Sequence, residues 1–138
     1  MTKIIFNKDL IKYMSLFQTL TGASLKDCLD EGSQLVFIVD EGQIGRAIGK
    51  KAVNVHRIEK AVNRKIKILE FNSEIKQFIR NAVYPLKINE IQEDSGVYTL
   101  YPVDRTTRGY LIGKNAQNLR FFEKLIKRYF AITELKVN

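Results

Sequence analysis

Apolar and polar positions in the first part of the chain predict one helix followed by two strands. Apolar residues recur at helical spacing over residues 5–20, which predicts an amphipathic helix. An apolar, largely β-branched run at residues 34–39 is typical of a buried strand, and residues 23–30 predict a weaker strand before it. The Glu31-Gly32 turn between these runs favours a hairpin.

Two helices and a third strand are predicted next. A short helix is expected around residues 43–48 and a longer one over residues 52–63, with Asn54 among the polar residues on its outward face. Polar and apolar residues alternate over residues 65–71, as in a half-exposed strand. The predicted order of elements is therefore α-β-β-α-α-β.

The second half of the chain predicts the same six elements in the same order. Its opening helix ends before Pro85, because proline cannot continue a helix. The predicted elements are a helix at 73–84, strands at 86–92 and 97–103, helices at 105–112 and 117–129, and a strand at 131–137. Both halves thus close on a strand.

An internal repeat accounts for this duplication. Residues 45–60 match residues 109–124 at a constant offset of sixty-four, and the matches include a Gly-Lys pair and the Asn and Glu that follow it. The same offset aligns Arg64 with Arg128 and Ile68 with Ile132. We therefore expect two domains, residues 1–71 and 72–138. Units of about 70 residues are near the lower limit for an independent core, so we expect them to pack together in a monomer.

Positive charge is concentrated in the repeated segments. Residues 43–67 hold eight Lys or Arg and one acid, and residues 105–128 hold seven and one, whereas the whole chain has a net charge of +8. The remainder of the chain is thus net negative. Such segregation is typical of a face that binds a polyanion.

Several classes of function are excluded by what the sequence lacks. A single cysteine, Cys28, allows neither an internal disulfide nor a cysteine metal site, and its acidic neighbours predict an unreactive residue on a strand. A single histidine, His56, excludes Ser/His and histidine-cluster chemistry. The Gly-x-x-x-Gly-Lys spacing is one residue short of a P-loop, and Lys51 or Asn115 follows where Ser or Thr is needed. We expect no enzyme, cofactor or metal, and no membrane-spanning or signal segment, hence a cytoplasmic protein.

The step between the paired helices suits phosphate binding. Gly49 and Gly113 lack Cβ, so the backbone approaches a ligand closely, and the amides that open the next helix point at an anion. With a hairpin before it and a strand after it, this step resembles the K-homology (KH) domain, whose signature is a Gly-x-x-Gly loop between two helices. The opening helix and closing strand resemble the type II arrangement. The resemblance implies an α+β fold of two tandem type II KH-like domains, each a three-stranded sheet covered on one face by helices.

Two such units in tandem resemble the short archaeal NusA-like transcription termination and elongation factors. The resemblance implies a single-stranded RNA-binding protein that acts in transcription termination or antitermination. Nascent RNA would be held across the two loops, with RNA polymerase as a protein partner.

The expected RNA-binding residues are carried over from the family by position. Both loops depart from the family pattern, because alanine replaces the second glycine. The residues belong to the two loops and to basic side chains around them: Gly49, Lys50, Lys51, Ala52, Arg46, Arg57, Lys60, Gly113, Lys114, Asn115, Ala116, Arg105, Arg108, Arg120 and Lys124.

Other interpretations stay open at this point. The chain also fits an RNA-binding adaptor in the ribosome or in RNA processing, or a protein-interaction scaffold with degenerate loops. Phe121 replaces Arg57 in the repeat, and either stacking on a base or burial accounts for it. Six apolar residues fit either a base-binding groove or the core: Ile44, Ile48, Val55, Leu111, Ile112 and Leu119.

Overall fold

The computed structural model describes residues 8–138, so residues 5–7 of the predicted first helix lie outside the described part. The chain divides into two compact units, Met1–Phe71 and Asn72–Asn138, called unit 1 and unit 2 below. Each unit combines helices with one three-stranded sheet, which confirms the α+β class. Among the described residues, every helix is too short or too polar to cross a bilayer.

Unit 1 has the predicted order of elements. They are α1 (Lys8–Thr21), β1 (Leu25–Asp30), β2 (Gln34–Val39), α2 (Ile44–Ile48), α3 (Val53–Val62) and β3 (Lys65–Glu70), with a 3-10 turn at Lys50–Ala52 between α2 and α3. β2 lies in the middle of the sheet, antiparallel to β1 and parallel to β3.

The core of unit 1 lies between this sheet and its helices. Phe17 of α1 stacks on Phe37 of β2 with ring centroids 4.5 Å apart. Ala47 of α2 and Ile58 of α3 are fully buried in the same cluster. All three helices thus bury an apolar stripe against one face of the sheet, as their helical periodicity requires.

Unit 2 repeats this order. Its elements are α4 (Ile75–Val83), β4 (Ile88–Asp94), β5 (Val97–Pro102), α5 (Arg105–Ile112), α6 (Gln117–Lys127) and β6 (Glu134–Val137), with a 3-10 turn at Lys114–Ala116. β5 is central, antiparallel to β4 and parallel to β6. The predicted bounds were right to within about three residues, the usual uncertainty at the ends of elements.

The constant offset does not extend to the last strand, so that part of the repeat was wrong. Glu59 accepts a hydrogen bond from the Ile66 amide seven residues later. Its counterpart Glu123 accepts one from the Leu135 amide twelve residues later. Unit 2 therefore has a longer connection before its last strand, and the alignments of Arg64 with Arg128 and of Ile68 with Ile132 are not structural equivalences.

Aromatic residues in this longer connection contribute to the packing of unit 2. Tyr129 meets the ring of Phe78 edge-on, with centroids 5.5 Å apart, and Phe130 lies 5.6 Å from the same ring. Phe78 itself is fully buried on α4. The added residues thus bring α4 and the end of α6 together around one aromatic cluster.

Candidate nucleic-acid interface

The two loops between the paired helices have the same backbone conformation. Loop 1 is residues 49–52 and loop 2 is residues 113–116. The first residues, Gly49 and Gly113, have φ of 75° and 72° with ψ of 172° and 176°, a region open essentially to glycine alone. The last residues, Ala52 and Ala116, are left-handed, and each donates its amide to the carbonyl of its loop's glycine at 3.2 Å.

A side chain at either glycine would collide with an asparagine that follows it. A Cβ on Gly49 would lie 2.8 Å from Nδ2 of Asn54, and one on Gly113 would lie 2.7 Å from Cγ of Asn118. Both distances are below normal van der Waals contact. Conformation and space therefore each require glycine at the start of both loops.

The same asparagines hold the loops onto the preceding helices. Asn54 donates from Nδ2 to the Arg46 carbonyl at 3.1 Å, and Asn118 donates to the Tyr110 carbonyl at 2.8 Å. Asn54 is only 9% exposed, so its predicted outward position was wrong. A buried amide needs a partner, and the end of α2 provides one.

The backbone amides at the N-termini of α2 and α5 are hydrogen-bonded by different carboxylates in the two units. Asp104 accepts the Thr107 amide at 2.7 Å, and this hydrogen bond lowers the pKa of its carboxyl. In unit 1 the matching Asp40 accepts from the Ser24 hydroxyl instead. There Glu70, at the end of β3, accepts the amides of Gly42 and Ile44 at 3.0 and 3.2 Å.

A basic depression lies beside loop 1. It has a volume of about 680 Å³ and lies along the outer side of α3. Lysine and arginine supply most of its lining, which consists of Lys50, Lys51, Val53, His56, Arg57 and Lys60. Four expected RNA-binding side chains are thus brought together on one surface. Val53, which sequence analysis did not select, is 47% exposed at its edge.

The surface beside loop 2 is less basic. At the matching positions the chain has Lys114, Asn115, Gln117, Arg120, Phe121 and Lys124. Phe121 is half-buried, with its ring 5.6 Å from that of Phe122. Lys114, Arg120 and Lys124 are exposed on this surface.

Three other expected residues lie outside the lining of the basic depression. Arg105 begins α5, about 12 Å along the helix from Gly113 at its other end. Arg108 donates from Nε to the Asn138 carbonyl at 3.0 Å. Arg46 lies outside the lining of the depression, with its Cδ 4.0 Å from where a Cβ on Gly22 would be.

Some of the positive charge counted in the sequence has a structural role. Arg64 forms a bidentate ion pair with Asp30, with a shortest distance of 2.7 Å. Lys67 lies on the sheet, where burial lowers the pKa of its amino group. The charge that faces a ligand is therefore smaller than the sequence count.

The apolar groove residues divide into two groups. Leu111 is fully buried and belongs to the core. The others are half-buried beside the loops and lie at the boundary between core and surface: Ile44, Ile48, Val55, Ile112 and Leu119. Sequence analysis missed Tyr110, which is 62% exposed on α5, although its place opposite Arg46 in the repeat was visible.

Comparison with known proteins agrees with this geometry. The KH domain family model matches residues 12–94. A probable transcription termination protein NusA from Methanococcus vannielii is 31% identical, over 98% of this chain and 80% of the relative. One of the same name from Methanocaldococcus jannaschii is 28% identical, over 99% of this chain and 76% of the relative.

A solved structure is similar as well. The crystal structure of APE1850 matches with a TM-score of 0.72 and 25% identity, over 96% of this chain and all of that one. The chain therefore belongs to the KH domain family and, within it, to the NusA-like proteins known from archaea.

Proposed function

We propose that this chain binds single-stranded RNA in transcription termination or antitermination, through two tandem type II KH-like domains at residues 1–71 and 72–138. The observation that carries the proposal is the recurrence of one loop geometry, with the same glycine conformation and the same asparagine hydrogen bond in both units. Two loops shaped alike would hold one strand at two places. The names of the archaeal relatives supply the transcription context.

Backbone recognition explains why each loop is built in this way. The glycine allows a sugar-phosphate chain to approach the loop, and the first amides of α3 and α6 lie at the positive ends of the helix dipoles. Lys50 and Lys51 add charge beside loop 1, and Lys114 adds charge beside loop 2. A KH loop of this kind contacts about four nucleotides of backbone.

Alanine at the fourth loop position does not argue for a degenerate scaffold. Ala52 and Ala116 adopt φ of 58° and 59°, a left-handed conformation that glycine adopts readily. The backbone shape is thus the same in both loops despite the added methyl groups. The alanines therefore adopt a conformation that glycine at this position would also adopt, which supports RNA binding over a scaffold that has lost it.

Two sites on one chain also explain how useful affinity arises from weak individual contacts. Once one loop holds the strand, the second binds at an effective concentration set by the connection between them. We therefore propose that both loops engage the same RNA molecule and that the chain acts as a monomer. RNA polymerase is the proposed protein partner, and its retention on the immobilised chain, in preference to ribosomal subunits, would separate this role from a ribosomal adaptor.

Fluorescence anisotropy of a labelled single-stranded RNA tests the binding proposal. An RNA of about 12 nucleotides provides the roughly four nucleotides that each loop contacts. We expect its affinity to fall steeply as the salt concentration rises, because the slope of log K against log salt is about −0.7 for each phosphate contacted. Gly49→Asp and Gly113→Asp should each weaken binding, because a side chain at either glycine collides with the asparagine that follows and displaces the loop.

A matched variant controls for strain and charge in this experiment. Gly32 also has positive φ, 78°, but lies in the β1–β2 turn with open space around it, so Gly32→Asp should leave affinity unchanged. Absence of RNA binding by the unaltered chain at low salt would contradict the proposal. Equal losses in all three variants would show that added negative charge or backbone strain anywhere in the chain, and not the loops, governs binding.

A further inference from the structure

The two loops differ in the side chains that flank them. Arg46 precedes loop 1, where Tyr110 precedes loop 2, and Arg57 on α3 corresponds to Phe121 on α6. Unit 1 therefore has a guanidinium at both positions where unit 2 has an aromatic ring. Within loop 2, Asn115 also replaces Lys51. Compared with unit 1, unit 2 therefore has fewer positive charges and more aromatic surface beside a loop of the same backbone conformation.

Tyr110 is the more accessible of the two aromatic residues. Its side chain is 62% exposed, whereas Phe121 is half-buried against Phe122. Its backbone carbonyl accepts the Asn118 hydrogen bond at 2.8 Å, so the residue is fixed to the same asparagine that packs against Gly113. The ring therefore stands on a backbone that is coupled directly to loop 2.

Space for a ligand exists on this part of α5. Gly109, the residue before Tyr110, is exposed, and no heavy atom lies within 4 Å of where its Cβ would be. An exposed ring beside bare helix backbone offers a planar surface with room for a flat partner. Nucleobases are such partners, because every base has a π-face that stacks on an aromatic side chain.

We propose that Tyr110 stacks on a nucleobase of the RNA strand whose backbone loop 2 holds. Unit 2 then contributes base contacts through its aromatic surface, and unit 1 contributes mainly phosphate contacts through Lys50, Lys51 and Arg57. This inference rests on the proposed RNA-binding function and adds a division of roles between the units. Stacking tolerates any base, so Tyr110 favours unpaired bases without imposing a sequence.

Fluorescence provides a direct test, because the chain contains no tryptophan. Tyr110→Trp introduces a single tryptophan at the proposed contact, and a stacked base should quench its emission when single-stranded RNA of about 12 nucleotides is added. Tyr84→Trp is the matched control, because Tyr84 is 74% exposed at the end of α4 in the same unit. Quenching in the first variant and none in the second is the expected result.

Affinity measurements separate stacking from charge. Tyr110→Ala should weaken binding about 5- to 150-fold, the range found when a stacking residue is truncated, whereas Tyr110→Phe keeps the ring and should bind as the unaltered chain does. The slope of log K against log salt should stay the same in Tyr110→Ala, because no phosphate contact is lost. An RNA that lacks the base at the nucleotide held by loop 2 should bind the unaltered chain and Tyr110→Ala with equal affinity.

The outcomes test the stacking of Tyr110 separately from RNA binding by the chain. If Tyr110→Ala binds RNA as tightly as the unaltered chain while Gly113→Asp does not, the stacking proposal is wrong and RNA binding stands. Equal quenching of Tyr110→Trp and Tyr84→Trp would also overturn the stacking proposal. If the unaltered chain binds no RNA, both proposals are wrong.

Discussion

Single residues in the two loops adopt conformations that their side chains disfavour. Lys51, Ala52 and Ala116 all have positive φ, between 54° and 59°. For an L-residue other than glycine this conformation costs about 1–2 kcal/mol, and asparagine, as at position 115, tolerates it better. The surrounding hydrogen bonds therefore hold the loops in a strained shape, which is common where a backbone binds a ligand.

Relief of this strain is expected to stabilise the fold. Ala52→Gly and Ala116→Gly should each raise the free energy of unfolding by up to about 1 kcal/mol, because glycine adopts positive φ without a Cβ clash. Urea unfolding followed by circular dichroism measures this change. Ala61→Gly, exposed in the last turn of α3, should have the opposite sign, with a loss of up to about 1 kcal/mol. Destabilisation by all three substitutions would contradict the assigned loop conformation.

The sole cysteine illustrates how burial controls chemistry at this scale. Cys28 lies on β1 and is 4% exposed, and burial, with the charges of Asp27 and Asp30, raises the pKa of its thiol to about 12. A thiol with that pKa is protonated at neutral pH and is a poor nucleophile. The position on a strand was predicted correctly from the sequence.

At the scale of elements, one ion pair connects the hairpin of unit 1 with the segment that follows α3. Arg64 donates to both carboxylate oxygens of Asp30 and to the Gly32 carbonyl at 2.9 Å. This hydrogen bonding lowers the pKa of Asp30 to about 2. The β1–β2 turn is thereby fixed to the start of β3.

The pH dependence of stability should report this ion pair. Because the pKa of Asp30 is lower in the folded chain, its contribution is complete above the unfolded pKa of about 4 and is lost as pH falls through about 2. Solvent screens the pair, so Asp30→Asn should lower the free energy of unfolding by less than about 1 kcal/mol near pH 7. The difference should disappear only below about pH 2.

A matched substitution separates this effect from simple loss of charge. Glu41→Gln removes one negative charge from an exposed residue of the same unit and leaves the Arg64–Asp30 ion pair in place, so it controls for the loss of charge alone. Chemical denaturation at a series of pH values compares the two variants. A difference for Asp30→Asn that persists at the lowest pH would contradict the ion pair's role.

The order of helices and strands was predictable from sequence because each unit keeps a regular apolar period. The burial of Asn54 was not predictable, because a polar residue in an amphipathic helix is normally assigned to the exposed face. Its side chain is buried in the structure because it donates a hydrogen bond to the Arg46 carbonyl. The longer connection between α6 and β6 in unit 2 was also not predicted. The matches at Arg128 and Ile132 are coincidental, because the constant offset is lost between Glu123 and Leu135.

The candidate site was predictable only in part. Loop residues followed from the repeat, and the structure gathers Lys50, Lys51, Arg57 and Lys60 around one depression. Arg108 was misleading, because a positive residue near a loop in sequence can hydrogen-bond a carbonyl elsewhere. Tyr110 was missed because residues were selected by charge, and an exposed ring has none.

For the whole molecule, we propose that positive charge acts on RNA at the two loops and not through the net charge of +8. Lys50 and Lys114 occupy matching loop positions, and Lys12 and Lys76 are exposed on the opening helices α1 and α4. Charge reversal at either pair changes the net charge by the same amount. The two double variants therefore differ only in where the charge is lost.

Salt-dependent binding of single-stranded RNA by these two double variants is the most direct measurement. Lys50→Glu with Lys114→Glu should weaken binding at least tenfold and make the salt slope shallower by about 1.4, for two lost phosphate contacts. Lys12→Glu with Lys76→Glu should change the affinity and the salt slope by much less. Equal losses in the two double variants would show that RNA responds to overall charge alone and would contradict the assignment of the loops as the binding sites.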